Sequence, residues 1–403
     1  MTIAQGEIAG QASAKRDERR AAAVACGAHA LHDGYTDLIY VLLPVWQAEF
    51  GLGYAQLGLL RGLFAGTMAS FQIPSALLAE RLGTTVVLAL GTALTGVGYL
   101  LAGTSAGFAM LMVALIVGGL GASTQHPLAS ALMARAFAGP RSLKALGTYN
   151  FAGDIGKMTV PAAAALLLTV MAWRPALALL GALGLIAAVA IYLSVPRYET
   201  EAAAAAGASA DAAGVPGRSR LAFPVLLSIG AIDSATRMAF LTFLPFVLTA
   251  KGASLPTIGL ALTLVFAGGA AGKLVCAFIG ARIGTIATVW LTEGLTAGLV
   301  VTLLPLPLEA ALVLLPLLGV ALNGTSSVLY GSVPLLVPPE RRARAFSVFY
   351  TGTIGSGAIA PAIYGVVGDN FGMAAALFVV AAVVLITLPL SLVLRPALSA
   401  RPA

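Results

Sequence analysis

The sequence predicts an all-α membrane protein with twelve transmembrane helices arranged in two pseudo-symmetric six-helix bundles. Three observations support this fold class. Of the 403 residues, 59% are hydrophobic and only 10% are charged, whereas soluble globular proteins have about 25% charged residues. The apolar residues fall into stretches of about 20 or more, which is the length that crosses a bilayer. The two halves of the chain also resemble each other.

The predicted spans are separated by short loops, and one longer polar segment divides them six and six. This segment, residues 196–220, is rich in Ala, Gly, Pro and charged residues and is predicted to be a cytoplasmic linker. It separates an N-terminal bundle (22–195) from a C-terminal bundle (221–395), with tails at 1–21 and 396–403. The spans cover residues 22–48, 54–80, 84–103, 107–135, 142–170, 173–195, 221–250, 256–281, 285–305, 309–337, 343–367 and 372–394.

An internal repeat is visible after the second span of each half. There, AERLGTTVVLALGTAL corresponds to GARIGTIATVWLTEGL, so that Arg81 aligns with Arg282 and Gly83 with Gly284. A repeat of this length indicates that a six-helix unit was duplicated. Two six-helix halves with a binding site between them are typical of secondary transporters.

The basic residues predict how the chain is oriented. With both termini in the cytoplasm, 17 Lys and Arg residues fall in cytoplasmic segments, and only Arg174 and Lys251 fall in external loops. This asymmetry follows the positive-inside rule and predicts a multi-pass protein of the bacterial inner membrane with cytoplasmic N and C termini. The net charge of +7 therefore reflects topology and does not indicate a nucleic-acid partner. We expect a monomer in the lipid bilayer.

The loop after the second span contains a recognisable signature. It reads ALLAERLG over residues 76–83, and it resembles the G-x-L-a-[DE]-R-x-G-[RK]-[RK] loop of the major facilitator superfamily. Ala76 replaces the first Gly, and Thr84 and Thr85 replace the basic pair. The resemblance implies transport by alternating access. It also implies a gating role for the loop residues Glu80, Arg81 and Gly83, and for Arg282, which aligns with Arg81 in the repeat.

Three further segments resemble a narrower group, the fosmidomycin-resistance branch of bacterial exporters. They are HDGYTD (residues 32–37), the run Gln125-His126-Pro127, and LGTYNFAGDIGK (146–157), which includes Tyr149. This resemblance implies proton-coupled export, by antiport, of small and often anionic compounds or drugs.

Ionisable residues lie in the middle of the first predicted span. Burying such a group in hydrocarbon costs roughly 2.5–3.5 kcal/mol, so that these residues are usually functional. His29, Asp33 and Asp37 are spaced i, i+4, i+8 and share one helical face, with His32 beside it. At about 1.5 Å per residue, Asp33 lies about 20 Å in from Arg20. We predict that Asp33 is the proton-coupling residue.

His126 in span four lies at nearly the same depth as His29, about 13 Å from the cytoplasmic charges. It is therefore a candidate proton relay for Asp33 or a substrate ligand. Asp37 and Asp154 are further candidates for proton coupling. His29, Asp33 and His126 also offer the nitrogen and oxygen ligands that suit a divalent transition metal, so that transport of a metal or metal chelate is the alternative function.

Two pairs of opposite charge lie within single spans. Asp154 and Lys157 are three residues apart, and Asp233 and Arg237 are four apart, so that each pair can form an ion pair on its own helix. Such pairs either neutralise each other during insertion or act as gates. Intramembrane cations that face the cavity favour an anionic substrate. The candidate substrate-binding residues are His29, His32, Gln125, His126, Tyr149, Lys157, Asp233, Arg237 and Asn323.

The sequence contains no G-x-x-x-x-G-K-[ST] loop for ATP, so that an ion gradient is expected to drive transport. We also expect no cofactor, no enzymatic activity, and partners limited to a small-molecule substrate and protons. The predicted function is a proton-coupled exporter (antiporter) of small, anionic compounds or drugs.

Overall fold

The computed structural model describes residues 3–137, 140–195, 221–338 and 341–399, and the regular elements within these ranges are α-helices. The predicted linker 196–220 and residues 400–403 of the predicted C-terminal tail lie outside the described residues. The helices are α1 (Ile3–Phe50), α2 (Tyr54–Ser70), α3 (Gln72–Leu82), α4 (Thr84–Gly103), α5 (Phe108–Ala122), α6 (Gln125–Ala136), α7 (Pro140–Val170), α8 (Trp173–Ser194), α9 (Ala222–Ala250), α10 (Leu255–Ile283), α11 (Thr285–Leu303), α12 (Leu308–Leu336), α13 (Arg342–Phe371), α14 (Met373–Val384), α15 (Thr387–Val393) and α16 (Arg395–Ser399).

The helices correspond closely to the predicted spans. Within the described residues, ten helices are long and apolar enough to cross a membrane, and eleven if α2 and α3, bent by 45°, form one span. The remaining predicted span, 22–48, lies inside α1, whose ionisable residues lower its hydropathy. Because α1 begins at Ile3, the predicted tail is helical and continuous with the first span. The all-α membrane fold is thus confirmed.

The aligned glycines of the repeat have the same backbone conformation. Gly83 separates α3 from α4 with φ 90°, and Gly284 separates α10 from α11 with φ 83°. Glycine adopts this left-handed region without the steric cost that a side chain brings. Glu80, Arg81 and Arg282 are exposed at the ends of these helices. Their gating role stays a prediction.

The chain forms two compact units. The first holds the described residues up to Leu38, residues 67–160, and those from Val170 to Val195. The second holds residues 39–66, 161–169 and the described residues from Leu221 onward. The second unit therefore includes the C-terminal end of α1, the N-terminal part of α2 and the C-terminal end of α7.

Within the second unit, α2 packs very closely on α13. A Cβ atom added to Gly58 would meet the backbone of Pro361, and one added to Gly62 would meet the carbonyl oxygen of Ala358. Small residues spaced four apart allow two membrane helices to approach at backbone distance, and van der Waals packing then holds them together.

The start of α2 is also capped by α13. The Asp369 carboxylate accepts hydrogen bonds from the backbone N–H groups of Tyr54 (2.6 Å) and Ala55 (3.0 Å). The first N–H groups of a helix have no partner within the helix, and a carboxylate also interacts favourably with the positive end of the helix dipole. Asp369 thus takes the place of a local capping residue.

In the first unit, an ion pair joins α1 to the start of α7. Arg141 donates to both carboxylate oxygens of Glu18, at 3.1 and 2.6 Å. Hydrogen bonding to Glu18 raises the pKa of the Arg141 guanidinium above its usual value. This pair lies on the predicted cytoplasmic side.

Candidate functional site

The fourth predicted span is interrupted at the position of Gln125 and His126. α5 ends at Ala122 and α6 begins at Gln125, although residues 108–136 together form one membrane-spanning segment. Pro127 follows in the first turn of α6, where a missing N–H group costs nothing. Discontinuous helices of this kind often line substrate sites in transporters.

Helices α1 and α7 cross at backbone distance within the first unit. A Cβ atom on Gly156 would meet the carbonyl of Ala30, and one on Gly34 would meet the side chain of Val160. The absence of side chains at these two glycines permits the close crossing. Lys157, which follows Gly156, is thereby brought to the face of α1 that carries Asp33.

Asp33 is the centre of the candidate site. Its Oδ2 atom lies 3.3 Å from His29 Nε2 and 3.3 Å from Lys157 Nζ, and its Oδ1 atom lies 3.6 Å from His126 Nε2. We call these four residues the Asp33 cluster. The side chains of His126 and Lys157 are 32% and 31% exposed, whereas those of Asp33 and His29 are 10% and 5% exposed.

The hydrogen bonds of His29 define where its protons lie. His29 Nδ1 is 2.8 Å from the backbone carbonyl of Tyr149, which only accepts, so that Nδ1 carries a proton. In a neutral imidazole, Nε2 would then be an unprotonated acceptor facing a carboxylate oxygen. The contact between Nε2 and Asp33 Oδ2 is favourable only if a proton lies between them. The pair His29–Asp33 is therefore built to hold a proton.

Tyr149 contacts His29, and Gln125 contacts Tyr149. The Tyr149 ring stacks on the His29 ring with centroids 4.0 Å apart, and its hydroxyl donates to Gln125 Oε1 at 3.2 Å. Both residues are buried, at 2% and 0% exposure. They orient the His29 imidazole, and they are more buried than His126 and Lys157. Their predicted contact with substrate stays a prediction.

His32 lies apart from the cluster's hydrogen bonds. Thr92 donates its hydroxyl proton to the carbonyl of Leu88 and so accepts from His32 Nε2 at 2.9 Å. His32 therefore carries a proton on Nε2 and anchors α1 to α4. Two other predicted proton carriers, Asp37 and Asp154, are buried and act electrostatically on Lys157. Asp33, Asp37 and Asp154 thus all act electrostatically on the Lys157 ammonium group.

The predicted pair Asp233–Arg237 lies in the second unit, beside Glu293, which is not among the predicted site residues. Asp233 interacts with Arg237 on α9 and is also hydrogen-bonded to Glu293 of α11. Both carboxyl groups are buried. Asn323 of α12 donates to the carbonyl of Gly319 in its own helix. The signal available in the sequence was the presence of Glu293 within an apolar span.

The atoms that suit a metal are also close together. One ligand atom from each of His29, Asp33 and His126 lies within 4.8 Å of the other two. Lys157 is a competing cation at the same carboxylate, since its Nζ lies 3.3 Å from Asp33 Oδ2. A divalent metal would have to displace Lys157 and the proton on His29–Asp33.

Comparison with known proteins identifies the family. The profile of the Major Facilitator Superfamily matches residues 25–230 and 226–403. The chain belongs to the major facilitator superfamily. It is therefore a membrane transporter and not an enzyme. Its position within the superfamily is less narrowly defined, because the comparisons do not single out the fosmidomycin-resistance branch.

Among curated relatives, the chain is similar to a probable L-galactonate transporter of Escherichia coli, with 25% identity over 264 residues. The match covers 62% of this chain and 56% of that relative, a little over half of its length. A bacterial homologue of the human lysosomal transporter Spinster, solved in an inward-facing unoccupied conformation, superposes with a TM-score of 0.78 at 16% identity, covering 96% of this chain and 99% of that one. The nucleoside transporter NupG has a TM-score of 0.71 at 14% identity, covering 95% and 99%. These structures show the shared fold.

Within this major facilitator transporter, the Asp33 cluster combines a proton site with an accessible cation. A proton between His29 and Asp33 would lie between two buried side chains. Lys157 and His126 extend from that pair toward accessible space. The arrangement can exchange a proton at Asp33 and can offer positive charge to an anion at Lys157.

Proposed function

We propose that this protein is a proton-coupled transporter of small organic anions, in which one proton and one anion bind together at the Asp33 cluster. The observation that carries the proposal is the simultaneous contact of the Asp33 carboxylate with His29, His126 and Lys157. The carboxylate is the shared partner of a proton donor and of a cation, so that the two functions compete for it.

Competition for Asp33 provides the coupling. An anion can bind Lys157 fully only if Lys157 leaves Asp33. Breaking a buried ion pair by removing one partner costs about 3–5 kcal/mol, because the remaining charge is uncompensated. A proton on Asp33 removes this cost. Proton binding therefore favours anion binding, and by thermodynamic linkage the anion favours proton binding to the same extent.

The exposed side chains of the cluster define the substrate class. His126 and Lys157 are the two members with about a third of their side chains exposed, and both can bind a carboxylate. The similarity to a probable L-galactonate transporter supports hydroxylated carboxylates of the sugar-acid class. Phosphonates, the class suggested by the fosmidomycin-resistance resemblance, are the second group of anions to test.

The same competition favours one sign of coupling. In an antiporter the substrate displaces the proton. A cationic substrate would do so, because it competes with the proton for Asp33. An anion that binds Lys157 binds more tightly when Asp33 is protonated, because Lys157 is then released from Asp33. We therefore propose co-transport of proton and anion. The export by antiport expected from the sequence is the opposing hypothesis, and the same assay decides between them.

Purified protein in proteoliposomes tests both claims. With galactonate as the probe, an alkaline interior should drive accumulation in co-transport, whereas an acidic interior should do so in antiport. Asp33→Asn should lose accumulation driven by the pH gradient while retaining exchange of labelled for unlabelled galactonate. Glu309→Gln, an exposed substitution in the first turn of α12, is the control. Gradient-driven accumulation by Asp33→Asn would refute the assigned role of Asp33.

A divalent metal is the second candidate substrate, favoured by the close grouping of His29, Asp33 and His126 donor atoms. Calorimetric titration with cobalt, nickel, zinc and iron separates the candidates. Heat of binding that disappears in His126→Ala would support the metal. The anion proposal expects no such heat.

A further inference from the structure

The second unit contains a pair of buried carboxyl groups that contact each other. Asp233 of α9 and Glu293 of α11 are 4% and 1% exposed, and their side chains lie within hydrogen-bonding reach of each other. An ionised carboxylate only accepts hydrogen bonds, so that two ionised carboxylates cannot form one. The contact therefore requires a proton on one of the two groups.

The hydroxyl groups around Glu293 lead to the same conclusion. Thr292 donates to the carbonyl of Thr288 at 2.8 Å, and Thr325 donates to Thr292 Oγ1 at 2.6 Å. Thr325 also lies within hydrogen-bonding reach of Glu293, so that its one hydroxyl proton can serve either Thr292 or Glu293. Glu293 Oε1 is buried and receives no hydrogen bond among the described residues. An ionised carboxylate without donors is costly in such a place.

The charged groups near the pair suit a pair that carries one proton. One proton shared by Asp233 and Glu293 leaves one negative charge, and Arg237, one turn along α9, interacts electrostatically with both groups. Tyr330 of α12 also interacts with Asp233 and Arg237. Lys273 and Arg282 are the charged residues of α10, which packs against α11 and α12.

We propose that Asp233 and Glu293 form a second proton-binding site, separate from the Asp33 cluster, whose shared proton is released and taken up again as the surrounding pH changes. The ligand is a proton held between two carboxyl oxygens, with Arg237 as the compensating cation. The use of this proton in transport rests on the proposed function. Its presence does not, because it is argued only from the contact and burial of two carboxyl groups within the second unit.

Infrared difference spectroscopy on the purified full-length protein tests the proposal without a substrate. A step from acidic to alkaline pH should reversibly remove a protonated-carboxyl C=O band in the wild type and in Asp33→Asn. Glu293→Gln keeps a donor for Asp233 and should lose this band. It should also release one proton fewer than the wild type over the same step. Glu309→Gln should behave as the wild type.

Asp233→Asn provides a second variant of equal size, in which the amide donates to an ionised Glu293, and it too should lose the band. A band that is insensitive to both substitutions would overturn the assignment. A band that persists unchanged at every pH at which the protein stays folded would show a locked structural proton and would overturn the exchange. Both outcomes concern only the carboxyl pair Asp233–Glu293. They can be told apart from a failure of the mechanism proposed for Asp33, because the Asp33→Asn variant still contains this carboxyl pair.

Discussion

Gly153 makes room for the proton-holding pair, and Gly153→Ala is the most direct test of the site geometry. Gly153 lies on α7 one turn before Lys157. A Cβ atom at this position would lie 2.7 Å from both Asp33 Oδ2 and His29 Nε2, whereas ordinary contact begins at about 3.4 Å. The added methyl group therefore acts on the two atoms that hold the proton.

The size of the effect follows from that distance. Relief of the clash requires a displacement of about 0.7 Å, and moving Asp33 away from α7 lengthens its 3.3 Å contact with Lys157. Loss of one charge-assisted hydrogen bond costs about 1.5–3 kcal/mol, which corresponds to a factor of about 10 to 150. We expect gradient-driven galactonate uptake to fall by this factor. Alanine favours a helix over glycine by about 1 kcal/mol, so that the protein should remain folded.

The assay is initial uptake into proteoliposomes under a fixed pH gradient, with thermal unfolding followed by circular dichroism. Gly147→Ala is a matched control, because it is the same substitution in the same helix and a Cβ atom there meets nothing within 4 Å. Wild-type uptake by Gly153→Ala would refute the geometry of the pair. Equal loss in Gly147→Ala would assign the effect to the helix and not to the site.

Three further predictions follow from individual contacts. Lys157→Met should lower the free energy of unfolding by about 3–5 kcal/mol, because it leaves Asp33 buried without its cation. Adding Asp33→Asn to this variant should restore most of the lost free energy. Denaturant titration of the single and the double variant measures both changes. Asp369→Ala should weaken the start of α2 by about 1 kcal/mol, seen as faster hydrogen exchange at the amides of Tyr54 and Ala55, and unchanged exchange would contradict the cap. His32→Ala should destabilise the fold by roughly 1–3 kcal/mol and leave the dependence of uptake on the pH gradient unaltered, because the hydrogen bond of His32 joins it to Thr92 of α4 and not to Asp33.

Some contacts of the site could be predicted because they lie within one helix. The spacing of His29 and Asp33 places them on one face, and the structure has them 3.3 Å apart. Depth counted from the cytoplasmic charges placed His126 level with His29, and their rings are 5.2 Å apart. Helical periodicity and rise are local properties, and they need no knowledge of other helices.

Other contacts could not be predicted because they cross between helices. The sequence paired Lys157 with Asp154 on its own helix, whereas the structure also brings Lys157 to Asp33 on α1. Glu293 is not among the site residues predicted from the sequence, whereas the structure places it beside Asp233. Both contacts depend on the rotation and crossing of the helices, which the glycine packing at the crossings sets.

By itself, the sequence determined that this chain is a twelve-span membrane protein built from a duplicated unit, with ionisable residues on one face of its first span. Hydropathy, charge asymmetry and helical spacing carry that information, because each is a property of residues that are near in the chain. Only the tertiary structure decided which ring nitrogen of His29 faces Asp33, which cation reaches it, and that Asp233 meets Glu293. These are distances between helices far apart in sequence, and a proton is required wherever such a packing brings two acceptors together.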